Sequence, residues 1–356
     1  MRSALLLTVL ALTACHELPE PDQSGAHLLV AADPGLELCG GSLAHMDLFI
    51  ERLAAEFSLA APTGDDRVIL YWLESERFDE RTPCGRATTA CARDDLSFSP
   101  FAPLNHELVH NLAVRVNQPL PVFTEGIAVA YEGLENDLFS FDDTSRDLHH
   151  LLTIQNYSEL LRSGGYPTAG AFTTYLVQAH GIEAYLNMFA AVGSRESVAG
   201  VDTIFRDEFG VSLDDSIAAY AASDVADCEP FERDAKLAEC AAPELEWDRD
   251  RLALHRSIAC DQDDAVGPYQ GDSVVVFHTV TIPADGVYAI AVVGDDPRNL
   301  VSLQPCTICG RKGVVVGGSP RTVALAAGRH SLRLHGPAST RTSVGLRIER
   351  VGSLAP

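Results

Sequence analysis

The sequence predicts an α+β chain in two parts: a mainly helical domain with a small N-terminal sheet, followed by a β-sandwich. Three observations carry this reading. Over 43–58, over 104–117 and after Glu125 to about residue 222, apolar residues recur every three or four positions, the spacing that lines one face of a helix. From about residue 251 the spacing changes to two and the turns fill with Gly and Pro, as in packed antiparallel strands. Between them, residues 223–250 are acidic and carry Cys228 and Cys240. A chain of 356 residues, 46% hydrophobic, is long enough to bury one large or two ordinary cores. The expected organisation is a secretory signal over 1–14, a tether over 15–27, the helical domain over 28–222, a Cys-containing acidic connector over 223–250 and the sandwich over 251–356.

Each element has its own warrant. Arg2 followed by an apolar run over 4–12 is too short to span a bilayer and has the layout of an export signal. Gly40-Gly41-Ser42 opens a helix whose apolar face is Leu43, Met46, Ile50, Leu53 and Phe57, and Pro62 breaks the chain after it. Residues 67–73 read as a strand and 88–98 as a weaker strand region. Leu104, Leu108, Leu112 and Val116 recur every four residues, so a helix runs to about Asn117, where Pro119 and Pro121 stop it. A second helical run starts near Val122 and buries Ile127, Ala130 and Tyr131. The connection of about five residues favours antiparallel neighbours. Thr144 caps a run through Leu148, Leu151, Leu152 and Ile154. Gly164-Gly165 separates it from a helix over 172–179 closed by Gly181, and three further apolar runs extend to Tyr220. In the last third, strands are expected over 274–282, 287–293, 314–316, 322–325, 330–335 and 343–348, with turns at 283–286 and 327–328.

The residues that carry chemistry lie in the first of these helix pairs. His106 and His110 are four apart, so on a helix both imidazoles project from one face and reach a single ion. Glu107, beside the first histidine, is placed to take a proton from metal-bound water. A catalytic zinc needs a third protein ligand and an open position for water, and Glu125 on the second helix is the candidate ligand. The competing reading is an exposed helix with two unrelated histidines. His149-His150 is adjacent in sequence, about 100° apart on a helix, and so does not share an ion. Asp261 to Asp264 lacks the Gly and terminal Glu of a calcium loop. Eight cysteines remain after Cys15, an even number consistent with four disulfides in an exported chain, and Cys84–Cys91 is the first pair to expect. Cys306-Thr-Ile-Cys309 lacks a matching second pair, which favours a structural bridge over a zinc or redox site. The formal charge of −24 excludes a general nucleic-acid binder, which needs a basic face.

His106-Glu107-x-x-His110 followed by Glu125-Gly126-x-Ala128 resembles the gluzincin clan of zinc metallopeptidases. The resemblance implies a zincin-like metallopeptidase domain over 28–222, with Zn²⁺ held by His106, His110 and Glu125. It also implies Glu107 as general base and an extended peptide substrate paired along a sheet edge. Metzincins are excluded, because Ala113 and Val116 stand where that pattern needs Gly and His. Tyr166 with Gly170 looks like the clan's Tyr-x-x-x-Gly helix start and makes Tyr166 a candidate oxyanion donor; packing against its own helix is the alternative role. Thermolysin-like members place an Asp four residues after the glutamate ligand to orient a histidine. Val129 stands there instead, leaving Glu132 and Asn105 as candidates for that task. Leu12-Thr13-Ala14-Cys15 resembles a bacterial lipobox, which implies lipidation of Cys15 and anchoring to a membrane. His16 in place of Asp leans to the outer membrane, facing the periplasm or the surface. The sandwich resembles β-domains appended to secreted peptidases. The reading is thus a zinc-dependent peptidase acting on peptides or proteins; the alternative is a non-catalytic binding or adhesion lipoprotein with a degenerate peptidase domain.

Overall fold

A computed structural model describes residues 18–84, 90–133, 147–228, 232, 235–269, 272–309 and 313–353. The signal, Cys15 and Thr144 lie outside the described residues. The first sheet comprises β1 (Gln23–Ser24), β2 (Leu28–Ala32), β3 (Val68–Trp72), β4 (Cys91–Arg93) and β5 (Leu96–Ser99), in the order β1-β2-β3-β5-β4. β2, β3 and β5 are parallel, and β1 and β4 are antiparallel edges. Parallel neighbours need a crossover, and α1 (Ser42–Glu56) supplies it between β2 and β3. The short α2 (Phe78–Arg81) follows β3.

Next come α3 (Asn105–Ala113), α4 (Pro121–Tyr131), α5 (Leu148–Leu151), α6 (Tyr157–Arg162), α7 (Tyr166–His180), α8 (Ile182–Ala191), α9 (Val198–Phe209) and α10 (Leu213–Ala221). α3 ends four residues earlier than expected. α7 starts at Tyr166, ahead of the expected 172, because Pro167 sits in its first turn, where no backbone donor is needed. Met46, Phe49 and Leu53 of α1, Leu70 of β3, Leu108 and Leu112 of α3, and Phe123 and Ile127 of α4 share one core. This core buries the helical stripe against the sheet.

The last third holds β6 (Glu244–Leu245), β7 (Arg251–Ile258), β8 (Ala265–Tyr269), β9 (Ser273–Ile282), β10 (Gly286–Gly294), β11 (Leu300–Pro305), β12 (Val314–Gly317), β13 (Arg321–Leu325), β14 (Gly328–Pro337) and β15 (Thr342–Gly352). They form a four-stranded sheet, β13-β10-β15-β7, and a six-stranded sheet, β12-β11-β14-β9-β6, with β8 also on β9. Val276, Val280, Leu332 and Leu334 of the second sheet meet Tyr288, Ile290, Leu346 and Ile348 of the first in one core. Two sheets sharing an apolar layer fit a β-sandwich.

The expectation of a mainly helical fold is corrected. The chain is 35% helix and 29% strand, a mixed fold with three sheets of four to six strands. The N-terminal sheet has five strands and extends into the expected tether, where β1 pairs with β2. The physical reason is strand length: β1, β2, β4 and β5 run two to five residues, too few to show a period. β2 (Leu-Leu-Val-Ala-Ala) is apolar at every position, as a strand covered on both faces is, and such a run reads equally as helix.

Four disulfides join Cys39–Cys260, Cys84–Cys91, Cys228–Cys309 and Cys240–Cys306. Cys306 and Cys309 therefore do not pair with each other; each ties a loop of the sandwich to the acidic connector. Disulfides in this number belong to an oxidising, extracytoplasmic environment. Among the described residues no helix is long and apolar enough to cross a membrane. Of the histidines on the sandwich strands, His330 is buried and His278 and His335 are half-buried. The six-stranded sheet turns its second face toward the N-terminal part, where Phe277 of β9 stacks on His45 of α1.

Candidate metal centre

α3 and α4 build the site. Leu108 and Leu112 fasten α3 to the core, which turns His106 and His110, four residues apart, toward α4. Pro121 starts α4, and Phe123 and Ile127 anchor it in the same core, leaving Glu125 directed at the histidines. His106 Nε2 lies 3.2 Å from Glu125 Oε2 and 3.2 Å from His110 Nε2, and His110 Nε2 lies 3.3 Å from the same Glu125 oxygen. Among the described residues no other group of His, Cys, Asp and Glu brings three ligand atoms together.

The approach of α4 to α7 depends on two glycines. A Cβ on Gly126 would meet the Ala169 carbonyl oxygen at 2.8 Å and collide with Thr173 Oγ1; one on Gly170 would collide with Val129. Each helix thus presents a glycine to the other, and Val129 is used for packing against Gly170. The carboxylate that meets His106 from outside the cluster is that of Glu132, seven residues after Glu125 and so two turns along the same face. Its Oε2 lies 2.7 Å from His106 Nδ1. A carboxylate only accepts, so Nδ1 donates to Glu132; with a metal bound, that bond would leave Nε2 as the ligand atom. Asn105 donates from Nδ2 to the Glu132 carbonyl at 3.0 Å, which ties the start of α3 to the end of α4.

The electrostatics follow from burial and from these contacts. Burial opposes charge on His106, but hydrogen bonds to Glu125 and Glu132 outweigh it and raise its pKa well above the imidazole range. Burial also works against the Glu125 carboxylate, yet His110 and His106 pull its pKa down to about 2. Glu107, only 4% exposed, is pushed up from the ordinary carboxylate value, chiefly by burial. Tyr166 is shifted up, first by burial and then by the charges of Glu125 and Glu107. Its phenol therefore stays protonated and can donate. Its hydroxyl bonds Glu125 and its ring lies parallel to that of His106, with centroids 6.3 Å apart.

These residues line a cleft of about 600 Å³. Ala92 and Arg93 of β4 border it, as do Tyr157 and Leu161 of α6 and the Cys84–Cys91 bridge. β4 lines the cleft and pairs only with β5 among the described strands, so its other edge has no strand partner among them. Asn111, completely buried, holds β5 and the β4–β5 turn to α3: Ser97 Oγ donates to its Oδ1 at 2.6 Å and its Nδ2 donates to the Asp94 carbonyl at 2.7 Å. Sequence reasoning missed Asn111 and Tyr157. Neither belongs to a spacing motif, and the signal for Asn111 is only its place beside His110.

Three donor atoms at mutual distances of 3.2–3.3 Å suit a tetrahedral zinc. Bonds of about 2.0–2.1 Å put ligand atoms about 3.3–3.4 Å apart. Two imidazole nitrogens and a carboxylate are also the donor set of catalytic zinc. The other sequence candidates are engaged elsewhere or apart. His149 and His150 are exposed, Asp261 pairs with Arg341, and Asp264 pairs with Arg256.

No family model and no curated protein matches the chain. Among solved structures, it is similar to the C-terminal domain of A223, a structural protein from sulfolobus turreted icosahedral virus. That likeness has 18% identity and a TM-score of 0.16 and covers 28% of this chain and 95% of the viral domain; it is too slight to bear on fold or function.

Proposed function

We propose that the protein is a zinc-dependent peptidase. The observation that supports this best is the mutual spacing of His106 Nε2, His110 Nε2 and Glu125 Oε2, 3.2–3.3 Å, at the floor of a cleft that also holds Glu107. The resemblance of His106-Glu107-x-x-His110 and Glu125 to the gluzincin motif points the same way. A zinc ion on these three residues would supply a water acidic enough to ionise near neutral pH and an electrophile for the substrate carbonyl. Glu107 would take a proton from the attacking water and return it to the leaving amine; its raised pKa brings it closer to the working pH, where such transfers are most effective. Tyr166 donates toward the oxygen that gains charge. The open edge of β4 accepts the backbone of an extended peptide, and Arg93 is the cation bordering the cleft.

The same reading makes the chain an exported lipoprotein, acylated at Cys15 and held to the outer membrane, with the peptidase facing peptides or proteins outside the cytoplasm. The experiment uses purified oxidised protein, assayed for zinc content and for cleavage of unfolded casein. About one zinc per chain is expected. Glu107→Gln should keep the zinc and lose at least about a hundredfold in rate. Wild-type protein that holds zinc without cleaving would favour a binding role, and a Glu107→Gln variant that still cleaves would reject the mechanism.

A further inference from the structure

The helix that carries Glu125 and Glu132 ends against the C-terminal part of the chain. Arg333 of β14 is 3% exposed. Its Nε donates to Glu239 Oε2 at 2.9 Å, and its Nη2 donates both to Glu239 Oε1 at 2.9 Å and to the Gly133 carbonyl at 3.1 Å. Glu239 also accepts from Ser331 Oγ at 2.9 Å. Gly133 directly follows Glu132 and sits at φ +69°, the left-handed conformation that closes helices. The neighbouring carbonyls are also claimed from a distance: Ala235 N–H donates to Ala130 at 3.0 Å, and Asn105 holds Glu132. A helix C-terminus carries partial negative charge, and a buried cation there is one of the stronger stabilisers of it.

We infer that Arg333 is a positioning residue for the metal centre, and that the sandwich is a structural half of that centre. The inference rests on the zinc reading above. The chain of contact is short: Arg333 fixes the Gly133 carbonyl, Gly133 fixes the backbone of Glu132, and the Glu132 carboxylate fixes His106 Nδ1 at 2.7 Å. Without that clamp the last turn of α4 frays, Glu132 loses its place, and His106 turns freely. Glu239 holds the guanidinium in the plane that reaches Gly133 and balances its charge. This accounts for a buried ion pair on a sheet face whose other side is the apolar core of Leu332 and Leu334.

The test compares zinc affinity with stability. Removing Arg333 alone strands the Glu239 charge and endangers folding. The main variant is therefore Arg333→Leu with Glu239→Leu, which removes the pair together and is often neutral for stability. Zinc affinity is measured by competition with a chromophoric chelator, at a temperature where every variant is folded by circular dichroism. The double variant should bind zinc at least about tenfold more weakly, as expected when an orienting partner of a histidine ligand is lost. Leu334→Ala in the same strand should lower Tm and leave zinc affinity unchanged, which separates positioning from general loss of stability. Should the double variant fail to fold, Arg333→Lys reads the same quantity, because one ammonium cannot reproduce the fork that serves Glu239 and Gly133 together. Wild-type zinc affinity in a folded double variant or in Arg333→Lys overturns the inference and leaves the peptidase reading standing. Wild-type protein that binds no zinc overturns both.

Discussion

Glu132 meets Nδ1 of His106 and Glu125 meets its Nε2; in the proposed centre the first would orient the histidine and the second would complete the donor set. Because the orienting carboxylate fixes the tautomer of His106, Glu132→Ala should lower zinc affinity about 10- to 100-fold, with Glu125 untouched; an unchanged affinity would remove Glu132 from the site. The titration of His106 has a second consequence. In the metal-free protein its pKa is raised well above the imidazole value, so at neutral pH it holds a proton that zinc must displace. Zinc affinity should accordingly rise with pH, with net proton release on binding. Calorimetry in two buffers of different ionisation enthalpy measures that release, and a count of zero would contradict the assignment. His106, Glu107 and His110 were legible as a set because their relation depends on helical spacing alone. Glu132 was legible only as one guess of two, since nothing in the sequence says which carboxylate two turns along a helix meets an imidazole.

At the scale of elements, the α4–α7 contact and the α1–β9 contact carry the clearest consequences. Gly126→Ala would force α4 away from Ala169 and Thr173. Overpacking of this kind costs about 1–3 kcal/mol and should lower Tm and displace Glu125 together, as read by melting and by zinc affinity. On the other contact, His45 of α1 is buried, stacks on Phe277 of β9 at 5.0 Å, and has no partner for its Nε2 among the described residues. Burial first, and the nearby Arg333 second, lower its pKa to about 4. With the folded value below the unfolded 6.5, the unfolded chain takes the proton first on acidification. The stability contributed above pH 6.5 is therefore lost progressively between about pH 6.5 and pH 4, a loss on the order of 3 kcal/mol. His278 and His330, also lowered by burial, act in the same direction. His45→Phe should flatten the fall of Tm with pH across that window; an unaltered slope would show that the acid sensitivity lies elsewhere.

For the whole molecule, the two hydrophobic cores are held in register by covalent and polar links. Cys39–Cys260 spans 221 residues of sequence and ties the entry of α1 to the β7–β8 turn, and Ser42 Oγ donates to the Gly267 carbonyl of β8 at 2.6 Å. In the chain-entropy account, a loop of this length stabilises by about 5 kcal/mol and a short loop by appreciably less. Replacing Cys39 and Cys260 by Ser should thus lower the denaturation midpoint more than replacing Cys84 and Cys91, which are seven residues apart. Chemical denaturation of the two variants decides the order.

The amino-acid sequence by itself determined what local periodicity controls: the helix that aligns His106, Glu107 and His110, the strands with alternating apolar residues such as β9 and β14, and a cysteine count suited to four bridges. The tertiary structure alone decided which cysteines pair, that β2, β3 and β5 lie side by side as parallel strands, that Glu132 reaches His106, and that Arg333 closes a helix ending 200 residues earlier. The physical reason is range. A helix or strand is specified by hydrogen bonds and side-chain spacing within a few residues, whereas contacts between distant segments depend on how whole elements bury their apolar faces together, which no short stretch of sequence encodes.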